Sequence, residues 1–308
     1  MGDPAGVGPE ILLRVLAEPA VAERSPVRVF ASRAALEGAA RRFGLTLPAV
    51  VDDVAPGVAP APGAYRPEGG RAAMACLDAA AAALAAGEID ALVTGPLHKR
   101  ALAEAGLPGC GHTEWLARRF DVPRVVMMLA GPRLRVVLAT HHLPLRAVPA
   151  ALDVESLAAV VRLAHAELTR YFLPAGPRLA LAALNPHAEE DGRPGREERA
   201  VLTPVVERLR AEGIALEGPV PADAVFALAV AGRYDAVVAL YHDQGLGPLK
   251  TLHFNEAVNV TLGLGRVRTS PDHGPAYDRA AAGGADPGSL RAAIGLADAM
   301  ASRVAAGG

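Results

Sequence analysis

The sequence predicts an α/β protein of two α/β/α domains with a mixed, largely parallel set of strands. Three observations predict it. Short apolar runs alternate with longer stretches of helical periodicity along the 308 residues, and strands separated by helices of that length need crossover connections, hence parallel pairing. Two runs, 124–129 and 134–140, are separated only by "AGPR" and read as a hairpin, which makes the sheet mixed. Polar clusters recur where apolar strands end, the place where open α/β sheets bind ligands.

The elements follow in order. A glycine loop, "GDPAGVGPE", opens a helix over 9–18, with Pro9 near its first turn. Strand 27–31 (VRVFA) leads to a helix over 32–43. Residues 55–70, "APGVAPAPGAYRPEGG", read as a Pro/Gly loop rather than a domain linker. The Ala-rich stretch within 70–87 is good helix material. Strand 90–94 and helix 97–105 precede "GCGHTEWLARRF", a glycine loop feeding a helix over 113–120, with Thr113 as N-cap and Glu114 in the first turn. After the hairpin come helix 153–171, strand 178–184, helices 196–212 and 222–232, strand 234–241, strand 257–262 and helix 289–304. No repeats occur.

Bulk properties narrow the function. The chain is 51% hydrophobic with a formal net charge of -2, which argues against nucleic acid as the main partner. No run of about 18 uncharged apolar residues is present to span a membrane. The N-terminal sequence lacks the basic and apolar segments of a secretory signal, and two cysteines, Cys76 and Cys110, make no disulfide framework; a cytoplasmic location is the expectation. Of 31 basic residues only Lys99 and Lys250 are lysine. Lysine resists drift to arginine where a compact point charge on a flexible stem is needed, so both are functional candidates. Lys250 lies in "YHDQGLGPLK" with the chain's only glutamine, Gln244.

His142, His187 and His242 each follow a predicted strand. Imidazole is the commonest protein ligand for zinc and similar ions, and three of them with open positions would suit a catalytic ion. Their spacing is equally that of three rim histidines, each hydrogen-bonded separately. His141 and His142 are adjacent on a strand end, so alternation sends them to opposite faces and at most one points at a shared site. His165 sits mid-helix among apolar residues in a structural setting. The helix start at "GHTE" offers free N–H groups to an anion, or is a plain cap. "GDPAGVGPE" is not G-x-G-x-x-G, which argues against a Rossmann site. Lys250, Asn259 and Arg268 follow His242 on the rim and could hold an anionic, hydroxylated substrate, or form loop salt bridges.

The ordered set "GDPAGVGPE", "TGPLHK", "GHTE", "THHLPLR", "NPHAEEDGRPGREE", "PADAVF", "YHDQGLGPLK", "VNVTLGL" and "RTSPDHG" closely resembles the 4-hydroxythreonine-4-phosphate dehydrogenase family of pyridoxal phosphate biosynthesis, from residue 2 to the C-terminus. The resemblance implies an isocitrate/isopropylmalate dehydrogenase-like fold, with an interdomain cleft, and a homodimer. Residues 1–105 together with 270–308 would form the first domain. Residues 106–269 would form the second, with most metal and substrate residues and the dimer interface. It implies one divalent ion (Zn, Mg or Co) held by His142, His187 and His242 across that interface. Substrate contacts would fall on His112, Thr113, Lys250, Asn259 and Arg268, and catalytic roles on Lys250 and Asp223. The cofactor would be NAD or NADP, bound without the Rossmann glycines. The implied reaction oxidises the secondary alcohol of 4-phosphooxy-L-threonine to a ketone, which loses carbon dioxide to give 3-amino-2-oxopropyl phosphate.

Some positions depart from the family pattern. The family's short strand before "GDPAG" is missing, which would leave a sheet edge exposed. Glu189 and Asp191 stand where glycines are common, adding negative charge near the proposed ion. His141 replaces a small hydroxyl residue; the order around "THHLPL" favours His142 as the ligand. Related dehydrogenases of phosphorylated threonate or erythronate, or of an aromatic dicarboxylate cis-dihydrodiol, share these needs. A three-histidine hydrolase and a non-catalytic metabolite-binding protein are the rivals from other classes.

Overall fold

The computed structural model describes residues 1–22, 26–104, 111–188 and 195–307. The chain runs through α1 (Gly8–Leu16), α2 (Pro19–Ala22), β1 (Val29–Ala31), α3 (Arg33–Phe43), β2 (Val51–Asp53), α4 (Pro67–Ala85), β3 (Ala91–Val93), α5 (Lys99–Glu104) and α6 (His112–Arg119). It continues through β4 (Val126–Ala130), β5 (Arg135–Leu138), α7 (Val148–Ala151), α8 (Val154–Tyr171), β6 (Leu179–Ala182), α9 (Thr203–Ala211), β7 (Leu216–Val220), α10 (Ala222–Val230), β8 (Ala236–Ala239), α11 (His242–His253) and β9 (Val258–Leu262). It ends with β10 (Val267–Pro271), α12 (Tyr277–Ala282) and α13 (Gly288–Gly307). The predicted α/β class holds, with a mixed, largely parallel set of strands.

Two compact units divide the chain: Met1–Val125 with Leu264–Ala301, and Val126–Gly263 with Ser302–Gly308. The divisions fall later than 105/106 and earlier than 269/270. The reason lies in α6: its Trp115 and Leu116 pack in one core with Leu77 and Leu84 of α4, Phe30 and Leu92, so α6 folds with the first unit.

In the first unit β1 pairs with β2 and β3 pairs with β10, both in parallel. Local chemistry sets the helix ends. The Ser32 hydroxyl accepts from Ala35 N at 3.3 Å to cap α3. Gly44 ends that helix at φ 65°, a left-handed conformation that a side chain resists. Pro67 occupies the first position of α4, where its missing N–H costs nothing; the predicted loop therefore ends earlier than residue 70. α6 is capped by Gly111, not Thr113: Gly111 N donates to Glu114 Oε2 at 2.7 Å, and Thr113 lies inside the first turn. The edges of β1 and β3 that pair with no strand among the described residues line a cavity of about 510 Å³. Its walls are largely apolar, with Cys76, Leu77 and Ala80 of α4 and Leu290 and Ile294 of α13. The edge expected to be exposed is thus flanked by helices.

In the second unit the strand order is β9-β4-β5-β8-β6-β7. The predicted hairpin is present, with Met128 of β4 opposite Val137 of β5. β4 is also antiparallel to β9, placing Asn259 opposite Leu129. The β5–β8, β8–β6 and β6–β7 pairs are parallel, and β6 and β8 are buried along their length, as strands covered on both faces must be. α11 lies against β5 and β8: a Cβ added at Gly245 would sit 2.5 Å from Val136 Cγ1 and 3.0 Å from Ala239 Cβ. Only glycine allows that approach.

Candidate functional site

In the second unit the ends of β5, β6 and β8 carry the polar clusters. Leu240, just past β8, is a junction. Its carbonyl accepts from Thr140 N at 3.2 Å and from Thr140 Oγ1 at 2.7 Å. Its N–H donates to Gln244 Oε1 at 2.7 Å, and Gln244 Nε2 donates to Ala183 O at 2.7 Å. Gln244 is buried, so an amide with one acceptor and one donor arm fastens the ends of three parallel strands together. The chain's only glutamine is a scaffold piece, and it holds in place the three loops that bear histidines.

His242 opens α11, and its Nδ1 lies 2.6 Å from Asp243 Oδ1. An ionised carboxylate only accepts, so Nδ1 is the donor in this contact. The His142 ring lies 5.8 Å from that of His242, centroid to centroid. His142 has φ 55°, in the left-handed region; such a backbone in a non-glycine residue is held at functional sites at a cost of about 1–3 kcal/mol. This turn breaks the alternation expected for His141 and His142. Instead of facing apart, their rings meet edge to face at 5.1 Å, with Nδ1 atoms 3.4 Å apart.

His187, past β6, also has positive φ, at 60°, and is exposed. The Glu198 carboxylate, at the start of the π-helical turn Glu198–Leu202, positions the stretch leading to it. It accepts from Leu184 N at 2.8 Å, Asn185 N at 2.7 Å and Asn185 Nδ2 at 2.7 Å. Buried Glu198 was not singled out from sequence; its place eleven residues after His187 carries no local signal. Glu189 and Asp191 lie outside the described residues. Within one chain the structure joins His142 with His242 and leaves His187 outside that pair. Among the described residues no set of three His, Cys, Asp or Glu side chains in one chain is arranged to hold an ion.

Lys250 is half-buried two turns along α11 from His242. Asn259 on β9 is half-buried, and its Oδ1 is buried with no hydrogen-bond partner among the described residues, an acceptor open to a further donor. Asp223 is exposed in the first turn of α10.

In the first unit Arg268 of β10, 2% exposed, donates through Nη2 to Thr94 Oγ1 at 2.7 Å. Burial lowers its pKa to about 10, partly offset by the Glu114 carboxylate. Beside it His112, in the first turn of α6, has its pKa lowered to about 3, first by burial and then by the charges of Arg268 and the N-terminal amine. At neutral pH the pair is a neutral imidazole next to a buried guanidinium at a helix N-terminus, which favours an anion. Thr113 is buried in the same turn.

Comparison with known proteins identifies the family. The model of the pyridoxal phosphate biosynthetic protein PdxA family matches residues 17–297. The 4-hydroxythreonine-4-phosphate dehydrogenase of Aromatoleum aromaticum is 47% identical over 307 residues, covering 97% of this chain and 94% of that one. The enzyme of the same name from Chromobacterium violaceum is 46% identical, covering 97% and 95%. The 4-hydroxythreonine-4-phosphate dehydrogenase structure from Klebsiella pneumoniae superposes with a TM-score of 0.87 at 38% identity, covering 98% and 96%. A terephthalate 1,2-cis-dihydrodiol dehydrogenase from Burkholderia xenovorans gives a TM-score of 0.65 at 32% identity, covering 97% and 96%. The fold and these relatives define an α/β dehydrogenase acting on a CH–OH group. Within that class, the chain belongs to the PdxA family of pyridoxal phosphate biosynthetic proteins.

Proposed function

We propose that the chain oxidises the secondary alcohol of 4-phosphooxy-L-threonine with NAD or NADP, the resulting 3-oxo acid losing carbon dioxide to give 3-amino-2-oxopropyl phosphate. The observation that carries this reading is the His142–His242 pair, with ring centroids 5.8 Å apart, in a chain 47% identical to an enzyme of that name. The donor set fits a divalent ion such as Zn, Mg or Co: two neighbouring imidazoles, one with Nδ1 already engaged by a carboxylate and Nε2 free to coordinate. The third ligand is His187 of the partner subunit in a homodimer. Bound there, the ion supplies Lewis acidity for ionising the alcohol and for the charge that develops as carbon dioxide leaves.

The residues divide the remaining work. Arg268, His112 and Thr113 take the anionic groups of the substrate, Arg268 by charge and His112 as a neutral partner that adds no repulsion. Asn259 orients a hydroxyl or amine through its open Oδ1. Lys250 moves the proton that leaves the alcohol, and Asp223 contributes from the start of α10. Exposed Leu143 and Leu145, beside His142, and Leu252 and Phe254, at the end of α11, support a subunit interface close to the histidines.

The test is nicotinamide reduction by the purified protein with 4-phosphooxy-threonine, 4-phosphothreonate and terephthalate cis-dihydrodiol, with and without divalent ions. Turnover of the first, dependent on the ion, is expected. Faster turnover of the dihydrodiol would move the chain to the activity of its Burkholderia relative. Full activity after exhaustive chelation would remove the ion from the reading.

A further inference from the structure

The reading of His142 as an ion ligand leaves a question of orientation. An imidazole coordinates through one nitrogen only when its other nitrogen carries the proton, and a fixed acceptor for that proton selects the tautomer and holds the ring. Asp243 does this for His242, at 2.6 Å from Nδ1. What faces the Nδ1 of His142 is the Nδ1 of His141, at 3.4 Å, with the two rings near perpendicular at 83°. Two imidazole nitrogens at that separation, at the long end of hydrogen-bonding range, need one proton between them.

We propose that His141 is a positioning residue: its Nδ1 accepts the Nδ1–H of His142, leaving His142 Nε2 as the coordinating atom. The inference rests on the ion site proposed above and deepens it. His141 then does for the β5 loop what Asp243 does for the start of α11. Both ligands coordinate through Nε2, and both are held by the residue next to them in sequence. The loop is built for this. Thr140 anchors the chain to the Leu240 carbonyl through both N and Oγ1, and the positive φ of His142 folds its ring back toward that of its neighbour. With φ in the extended region the two side chains would diverge and the contact would be lost. The electrons and protons balance without any further group: His142 keeps its single proton on Nδ1, and His141 keeps its own on Nε2.

The experiment is cobalt(II) binding to the full-length protein, followed by visible absorption and by competition with a chelator of known affinity. His141→Ala should bind cobalt about 10–100-fold more weakly with an altered absorption band, and should keep the melting temperature of the parent, because His141 is at the rim. His141→Asn should recover most of the affinity, since its Oδ1 stands where the imidazole Nδ1 stood. Asp243→Ala should show a loss like that of His141→Ala. Cobalt affinity in His141→Ala equal to that of the parent would overturn the inference while leaving the ion site intact, as would an Asn variant as weak as the Ala variant. A parent protein that takes up no cobalt would overturn the ion site itself, and this inference with it.

Discussion

Lys250 and His112 show how burial and neighbours set a side chain's task. Lysine is rare in this chain, and Lys250 stands on the helix that His242 begins. If it moves the alcohol's proton, Lys250→Arg removes a group able to titrate, because guanidinium does not deprotonate. Turnover should fall by about 10²–10⁴-fold; a variant matching the parent at every pH would show that Lys250 only binds an anion. His112 makes a different prediction. Its pKa is lowered to about 3 from 6.5. Below pH 6.5 the unfolded chain protonates this imidazole and the folded chain does not, so stability is complete above 6.5 and declines as pH falls toward 3. The slope approaches about 1.4 kcal/mol per pH unit for one group. Denaturant titrations across that window should show this decline in the parent and its absence in His112→Gln, the difference between the two isolating the imidazole.

At the scale of elements, α11 gathers the site's parts and depends on one contact. The absent side chain of Gly245 lets the helix sit on β5 and β8, with 2.5 Å between an added Cβ and Val136 Cγ1. Gly245→Ala should cost about 1–3 kcal/mol by overpacking, read as a lower denaturation midpoint. It should also weaken cobalt binding, because a helix lifted from the sheet carries His242 with it. α11 was also the element hardest to see in the sequence. "HDQGLGPLK" holds Gly245, Gly247 and Pro248, residues that read as loop, yet its first turns form because His242, Asp243 and Gln244 take fixed partners there. β7, "LEGPV", escaped for a related reason: it is the last strand of its sheet, where proline's missing N–H is tolerated. β2 and β10 lack a strong apolar pattern. The long helices and buried strands were legible from periodicity alone, because burial on a fixed face leaves a repeat in the sequence. The three rim histidines were legible as chain positions. The meeting of His141 with His142 was not, since it hangs on one left-handed residue, and neither was the role of Gln244, whose partners lie 4 and 61 residues away.

At the scale of the whole molecule, the proposed site needs two subunits. Leu145 is 65% exposed and Phe254 74% exposed, unusual for side chains of that size. Leu145→Asp with Phe254→Asp should shift the protein from dimer to monomer in light scattering, and abolish turnover with it. A dimer that survives both changes would place the interface elsewhere. No described helix is long and apolar enough to cross a membrane.

The hollow bordered by β1, β3 and α4, about 510 Å³ in volume, leaves apolar walls open to water. Apolar surface that stays wet adds nothing to folding, so a larger side chain placed there gains stability in proportion to the area it covers. Ala80→Leu, which fills part of the space, should raise the denaturation midpoint read from the fluorescence of Trp115, in the core of the first unit; an unchanged midpoint would show that the hollow does not take the added side chain.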